Sequence, residues 1–290
     1  MLGGGAAAVH GHRREDHQLP GRVFLACAVP GGPRALIDRE LYVPRSWAAD
    51  RDRCAAAGIP EGAGFAIKPE LARAMIKRVL AAGLPFGWFT ADEPYGDNGP
   101  LREWLEAAGI AYVVAVSCDH HVPIGAGKAI RADTLAAKVP ARGWQRVSCG
   151  PGSRGDRLYD WALADAGPAH HLLIRRSVTD GERAFYRCWA PSGATLAELV
   201  MVAGARWAVE ECFRAAKNET ALDHYQVRKH TAWYRHITLA VCAHAWLAVT
   251  AAGHPPHRMA SNGGPGHGDP AREGAAARLR TAVRPGTRQP

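Results

Sequence analysis

The period of the apolar positions changes along this chain, and the changes mark its elements. Arg22–Val29 is a short continuous apolar run, as a buried strand has. Pro30-Gly31-Gly32-Pro33 is a turn. From Arg34 to Val43 the side chains alternate, with Leu36, Asp38, Glu40 and Tyr42 opposed to Ala35, Ile37, Arg39, Leu41 and Val43. The two runs read as a β-hairpin. A loop is expected through Trp47 and Pro60. Pro69 then opens a helical pattern with Leu71, Met75, Val79 and Leu80 on one side, and Gly83 closes it. Phe86–Ala91 is a compact apolar strand that delivers the chain to Asp92. Asp97-Asn98-Gly99-Pro100 turns the chain into a second helix, where Leu101, Trp104, Leu105 and Ala108 keep i, i+3, i+4, i+7 spacing. Ile110–Ser117 is a β-prone buried strand.

Hairpin, helix, strand, helix, strand is the succession of an α/β core with a mixed sheet. Residues 119–200 differ. They hold Gly-rich turns, β-prone runs at Trp144–Ser148, His171–Arg176 and Ala184–Trp189, and scattered arginines from Arg131 through Arg187. They read as a β-rich insertion. Helices follow at about 204–219 and 231–252. Residues 1–20 and 253–290 show no periodicity and are expected to be disordered. The domain reading is therefore a core over 21–118, the insertion over 119–200, and completing helices over 201–252.

Hydrophobic residues make up 47% of the 290, enough for a sizeable core. The formal charge of +9 suits a polyanion, nucleic acid before an acidic membrane. Seven cysteines lie scattered without a CxxC pair, which reads as reduced, mostly structural thiols in a cytoplasmic protein. Cys118, His120 and His121 do not have zinc-finger spacing. No signal-peptide pattern opens the chain. The run Ile237–Ala252 carries His244 and is short for a membrane span, so a buried helix and no membrane partner are expected.

The candidate chemistry lies in two places. In Ala205–Lys217 (ARWAVEECFRAAK), helical spacing puts Arg206, Glu210, Phe213 and Lys217 on one stripe, and Ala205, Val209, Cys212 and Ala216 on an adjoining apolar one. One carboxylate thus stands between two cations, which is also what an ordinary solvated i, i+4 ion pair looks like. Asp92 ends an apolar strand just before a turn, where open α/β sheets place ligands. It could equally satisfy turn amides. Its neighbour Glu93 would point to the opposite face of an extended strand, leaving Asp92 to enter a site.

The Thr90–Asp97 stretch (TADEPYGD), the helix and strand after it, and Arg206-Trp-Ala-Val-Glu210 with Phe213 and Lys217 resemble the DDE transposases of bacterial insertion sequences. The branch resembled is the insertion-sequence-four-like one. The resemblance covers roughly residues 21–252. It implies an RNase H-like mixed sheet flanked by helices, with a β-rich insertion before the last acidic helix. It further implies DNA cleavage and strand transfer by a two-metal mechanism, with Mg²⁺ (or Mn²⁺) held by carboxylates. Asp92 would be the second acid and Glu210 the third, both metal ligands. Arg206 and Lys217 would contact DNA phosphates, the first as a bidentate fork. Trp207 is read as packing. DNA is the implied partner, and a homodimer is compatible with the resemblance.

Two departures stand out. The family signature often has Tyr three residues before the Arg, and here that position is Ala203. The family's first Asp lies on a strand before the hairpin, yet the segment upstream of Arg22 shows no apolar strand leading to a carboxylate. Glu15, Asp16 and Asp38 are the remaining places for that acid. The resemblance therefore implies a truncated or frame-disrupted copy, with a sheet edge exposed beside the hairpin and little activity. The alternative is an inactive basic DNA-binding remnant. A metal nuclease of another family would gather its acids on a short strand pair, whereas Asp92 and Glu210 are 118 residues apart (210 − 92). On the transposase reading these two approach each other within reach of shared ions.

Overall fold

The structure, a computed structural model, describes residues 5–11, 21–29, 32–125, 127–152 and 155–253. Its centre is a strand the sequence pattern conceals. β1 (Gly5–Gly11) lies between β2 (Gly21–Ala28) and β4 (Phe86–Ala91), antiparallel to the first and parallel to the second. This overturns the expectation of disorder over that stretch. It also removes the expected exposed edge, since β2 is covered by β1 on one side and by β3 (Arg34–Tyr42) on the other. Residues 1–4, 12–20 and 254–290, also expected to be disordered, lie outside the described residues, as do Pro30 and Gly31 of the hairpin turn.

Between the hairpin and β4 come α1 (Arg45–Ala49), α2 (Arg51–Ala57) and α3 (Lys68–Ala81). The expected loop at 44–60 is thus two short helices. Asp50 separates them and caps the second by accepting from the Arg53 amide at 2.9 Å. After β4 follow α4 (Glu93–Gly96), α5 (Gly99–Ala107) and β5 (Ala111–Val116). Asn98 caps α5 through the Leu101 amide. The order β3-β2-β1-β4-β5, with β2 alone running against the others, is the RNase H-like arrangement.

A small hairpin of β6 (His121–Pro123) and β7 (Ala129–Arg131) precedes α6 (Ala132–Ala137). The β-rich stretch then supplies β8 (Gln145–Gly152), β9 (Gly155–Asp165), β10 (His170–Arg176) and β11 (Arg183–Trp189). These make no separate sheet. β11 pairs antiparallel with β5, and β10, β9 and β8 extend the same sheet to nine strands. The apolar runs missed β9, whose apolar residues are interrupted by Asp156, Arg157 and Asp160 and leave Leu158 and Leu163 exposed.

Helices cover both faces. On one, Met75 and Ile76 of α3 and Leu101 and Leu105 of α5 pack on Val9, Leu25, Phe89, Tyr112 and Val114. On the other, α8 (Trp207–Thr220) and α9 (His230–Gly253) pack Val209, Cys212, Ala216, Trp233 and Ile237 on Ala8, Phe24, Ala26 and Leu36. α7 (Leu196–Ala205) continues that layer over β5, β10 and β11 through Leu199, Val200 and Ala203. The helix expected at about 204–219 is α8, which starts at Trp207; α7, not expected from the sequence, ends just before it at Ala205, with Arg206 between the two. The apolar stripe read for α8 faces the core at Val209, Cys212 and Ala216.

α9 runs 24 residues, long and apolar enough to cross a membrane by length and composition. Trp233, Ile237, Ala240, Val241 and His244 are nonetheless packed against the sheet side. Its other side is exposed at Leu239 (72%), Trp246 (75%) and Val249 (65%), so the helix is half-buried rather than buried as expected.

Two glycines are needed for close approach. A Cβ at Gly96 would lie 1.7 Å from the Ala115 carbonyl oxygen, and one at Gly204 would lie 2.1 Å from that of Cys149. The first seats α4 on β5 immediately after Asp92; the second seats the end of α7 on β8. Gly96→Ala should lower stability by about 1–3 kcal/mol through overpacking against backbone, seen as a fall in Tm. Gly62→Ala, where a Cβ meets nothing within 4 Å, should change it little.

Candidate functional site

β1, β4 and β5 are parallel, so their carboxyl ends share one edge of the sheet. At that edge Asp92 leaves β4 and becomes the N-cap of α4. Glu93 is the first residue of α4 and exposed, so it is helix geometry, not strand alternation, that turns it away from Asp92. Under the turn lie Thr90, 0% exposed, and Tyr95, 1% exposed, whose hydroxyls have no hydrogen-bond partner among the described residues. Burial pushes the Tyr95 hydroxyl up, and the Asp92 charge adds to the rise.

The break between α7 and α8 places Arg206 across from this edge, and its Nη1 donates to Asp92 Oδ1. The pair is a salt bridge with side chains 27% and 23% exposed. Sequence reading placed Arg206 on a phosphate; in the structure Asp92 is its partner. Glu210 stands in the first turn of α8, half-buried, one turn or roughly 6 Å beyond Arg206. Lys217 is 11 residues from Arg206 (217 − 206), about 16 Å along the helix. Its amine is 3.9 Å from Asp223, so it belongs to the far end of α8. Phe213 packs edge-on against Phe24, with ring centroids 5.1 Å apart. The single stripe read from spacing thus serves three purposes. Trp207, read as packing, is 45% exposed.

β1 decides which acids reach this edge. Val9 is opposite Ala91, and one step on in the two chains stand His10 and Asp92. The first strand of the core is present but carries no carboxylate. Asp38 cannot supply one, because β3 is separated from β4 by β2 and β1. It is 7% exposed and accepts from Arg78 Nε at 2.8 Å. Glu15 and Asp16 lie outside the described residues. No group of three or more His, Cys, Asp or Glu among the described residues is placed to hold a metal ion. With Asp92 engaged by a guanidinium, this donor set does not fit the two-ion centre that the resemblance implies.

His120 has a different use from a metal ligand. Its Nδ1 donates to Asp97 Oδ1 at 2.8 Å, while Asp97 also accepts from the Ser117 amide. Burial, then the Arg102 charge, pulls the imidazole below its usual range, which favours the neutral ring. The thiols are free, and only Cys118 and Cys242 are exposed. Burial raises Cys188 and Cys212 to about 12.

Spacing along β9 and β10 hides further polar groups. Tyr159 and Trp161 alternate with outward residues on β9, and the same face carries Arg157; Arg175 lies on β10. Arg157, Arg175 and Arg206 line one small cavity. A period-two reading of Gly155–Asp165 would have found the first of them.

Residues 16–136 match the model of a family described as DDE superfamily endonuclease. That segment contains β2–β5 and Asp92 but stops before α7 and α8. No curated protein matches the sequence. Among solved structures, an endonuclease V of Ciona intestinalis in complex with inosine-containing DNA aligns at 7% identity and TM-score 0.38, over 73% of this chain and 87% of that one. The piggyBac transposase synaptic complex with hairpin DNA aligns at 13% identity and TM-score 0.40, over 85% of this chain and 47% of that one.

Two outcomes are expected from this geometry. A double-mutant cycle of Asp92→Ala and Arg206→Ala, read by urea denaturation, should give a coupling of about 1–2 kcal/mol. Timed alkylation with iodoacetamide and mass mapping should label Cys118 and Cys242 well before Cys188 and Cys212, whose thiolates are scarce at neutral pH.

Proposed function

We propose that this chain is the core of a DDE-type transposase that has kept the DNA-facing edge of its sheet but not two-ion catalysis. The observation that carries this reading is β1: it lies in register beside β4 up to Val9 opposite Ala91, and the residues of β1 include no carboxylate, the one after Val9 being His10. The family match over β2–β5 supports the nuclease assignment, and the net charge of +9 supports a polyanionic partner. Origin in a bacterial insertion sequence, and Mg²⁺ as the ion of active members, belong to the same reading. The residues on the sheet edge then act as binders. Arg206 neutralises Asp92, so a backbone phosphate approaching the edge meets a balanced pair rather than a bare carboxylate. Glu210, one turn on, is the third acid of the reading, and Lys217 adds charge at the far end of α8.

The chain should bind duplex DNA with little sequence preference and a Kd of roughly 10⁻⁴ to 10⁻⁶ M at physiological salt, because phosphate contacts carry no base readout. Fluorescence anisotropy across a salt series checks this; tight binding that survives high salt would contradict it. For chemistry, the wild-type chain should neither nick nor join DNA ends with Mg²⁺ or Mn²⁺. His10→Asp should add the missing carboxylate and create Mn²⁺ binding, measurable by electron paramagnetic resonance, together with slow nicking. Glu210→Ala in that background should remove the nicking. Robust wild-type cleavage that requires Glu210 would overturn the inactive reading and direct attention to Glu15 and Asp16.

A further inference from the structure

Three arginines from three elements converge next to the Asp92 edge: Arg157 of β9, Arg175 of β10 and Arg206 between α7 and α8. With Tyr159, Tyr186 and Trp207 they line a cavity of about 20 Å³, and no acidic side chain among the described residues lines it. Their planes are held by aromatic faces. Arg175 lies over the Tyr159 ring at 4.6 Å from the centroid, and Arg157 over Trp207 at 5.6 Å. Arg157 Nη2 also donates to the Cys149 carbonyl at 3.1 Å. Yet the Nε atoms of Arg157 and Arg175 are buried without a hydrogen-bond partner among the described residues. The Tyr186 hydroxyl feels both the Arg175 and the Arg206 charges, against the rise that burial imposes. Converging guanidinium groups repel one another unless an anion lies among them. Buried N–H donors likewise call for an acceptor.

We propose that this cleft is an anion site that admits one oxygen of a phosphate group, held by Arg175 and Arg157 beside the Asp92–Arg206 pair. The space takes one water-sized group, so an oxygen enters while the rest of the phosphate stays at the mouth beside Trp207. A planar fork fixed on a ring suits that ligand better than an ammonium does. The source of the phosphate rests on the DNA-binding reading: there it belongs to the strand lying along the sheet edge. A free phosphate has the same chemistry.

The test uses the full chain with two probes, inorganic phosphate followed by ³¹P line broadening and a 12-nucleotide single strand followed by anisotropy. Arg175→Ala and Arg175→Lys are compared with Arg183→Ala, an exposed arginine outside the cleft. The site predicts that both Arg175 variants weaken each probe by about tenfold; Arg175→Ala also lowers the oligonucleotide salt slope by about one, whereas Arg175→Lys, which keeps the charge, leaves the slope unchanged. Arg183→Ala should change affinity less than twofold. Circular dichroism checks folding, and Arg175→Lys keeps the charge and stem should the alanine variant not fold. Phosphate binding that needs Arg175, without oligonucleotide binding, would support the site and remove the DNA reading. Oligonucleotide binding equally sensitive to Arg175 and Arg183, or binding of neither probe, would overturn the site.

Discussion

The constraint on which the rest depends is the narrowness of β1. Ala6, Ala7, Ala8 and Val9 are at most 4% exposed. They are sandwiched between α3 and α5 on one face and α8 on the other, with β2 and β4 at either edge. Alanine is a poor strand former in isolation. Here its small side chain lets α8 settle on the sheet through Val209, Cys212 and Ala216, themselves at most 1% exposed. A bulky residue at Ala8 would lift that helix and carry Arg206 and Glu210 away from Asp92. The geometry of the candidate site is thus set by how little volume the central strand occupies.

The edge so formed combines charge with shortage. Asp92 is neutralised by Arg206, while Arg157 and Arg175 keep buried Nε donors unmatched among the described residues. An active two-ion nuclease would hold the reverse balance there, with an excess of carboxylates drawing cations in. A site short of anionic groups draws phosphate instead, and this is why binding is the activity that the described residues best support.

The extension of the sheet matters for the same reason. Because β8–β11 continue the core sheet rather than forming a body of their own, the arginines of β9 and β10 are placed rigidly with respect to Asp92. Gly204, pressed on the Cys149 carbonyl, fixes the end of α7 and hence the starting point of α8. Loops alone would not hold guanidinium planes over rings at these spacings.

Much of this was legible in the sequence. The hairpin, α3, β4, α5, β5, β10, β11 and the apolar stripe of α8 all declare themselves through period and punctuation, because each buries a face set by its own local repeat. Asp92 was legible as a strand-end acid for the same reason. β1 was not, since three alanines and a valine carry almost no periodic signal and become a strand only when both edges find partners. Nor was the break at Arg206: Ala, Val and Glu on either side favour helix throughout, and only the packing of α7 on β8 and of α8 on β2 sets two axes. The pairing of Arg206 with Asp92, 114 residues apart, and the gathering of Arg157 and Arg175 beside them, were decided by tertiary structure alone. Local spacing orders side chains along one element, and no local rule specifies which element comes to face it.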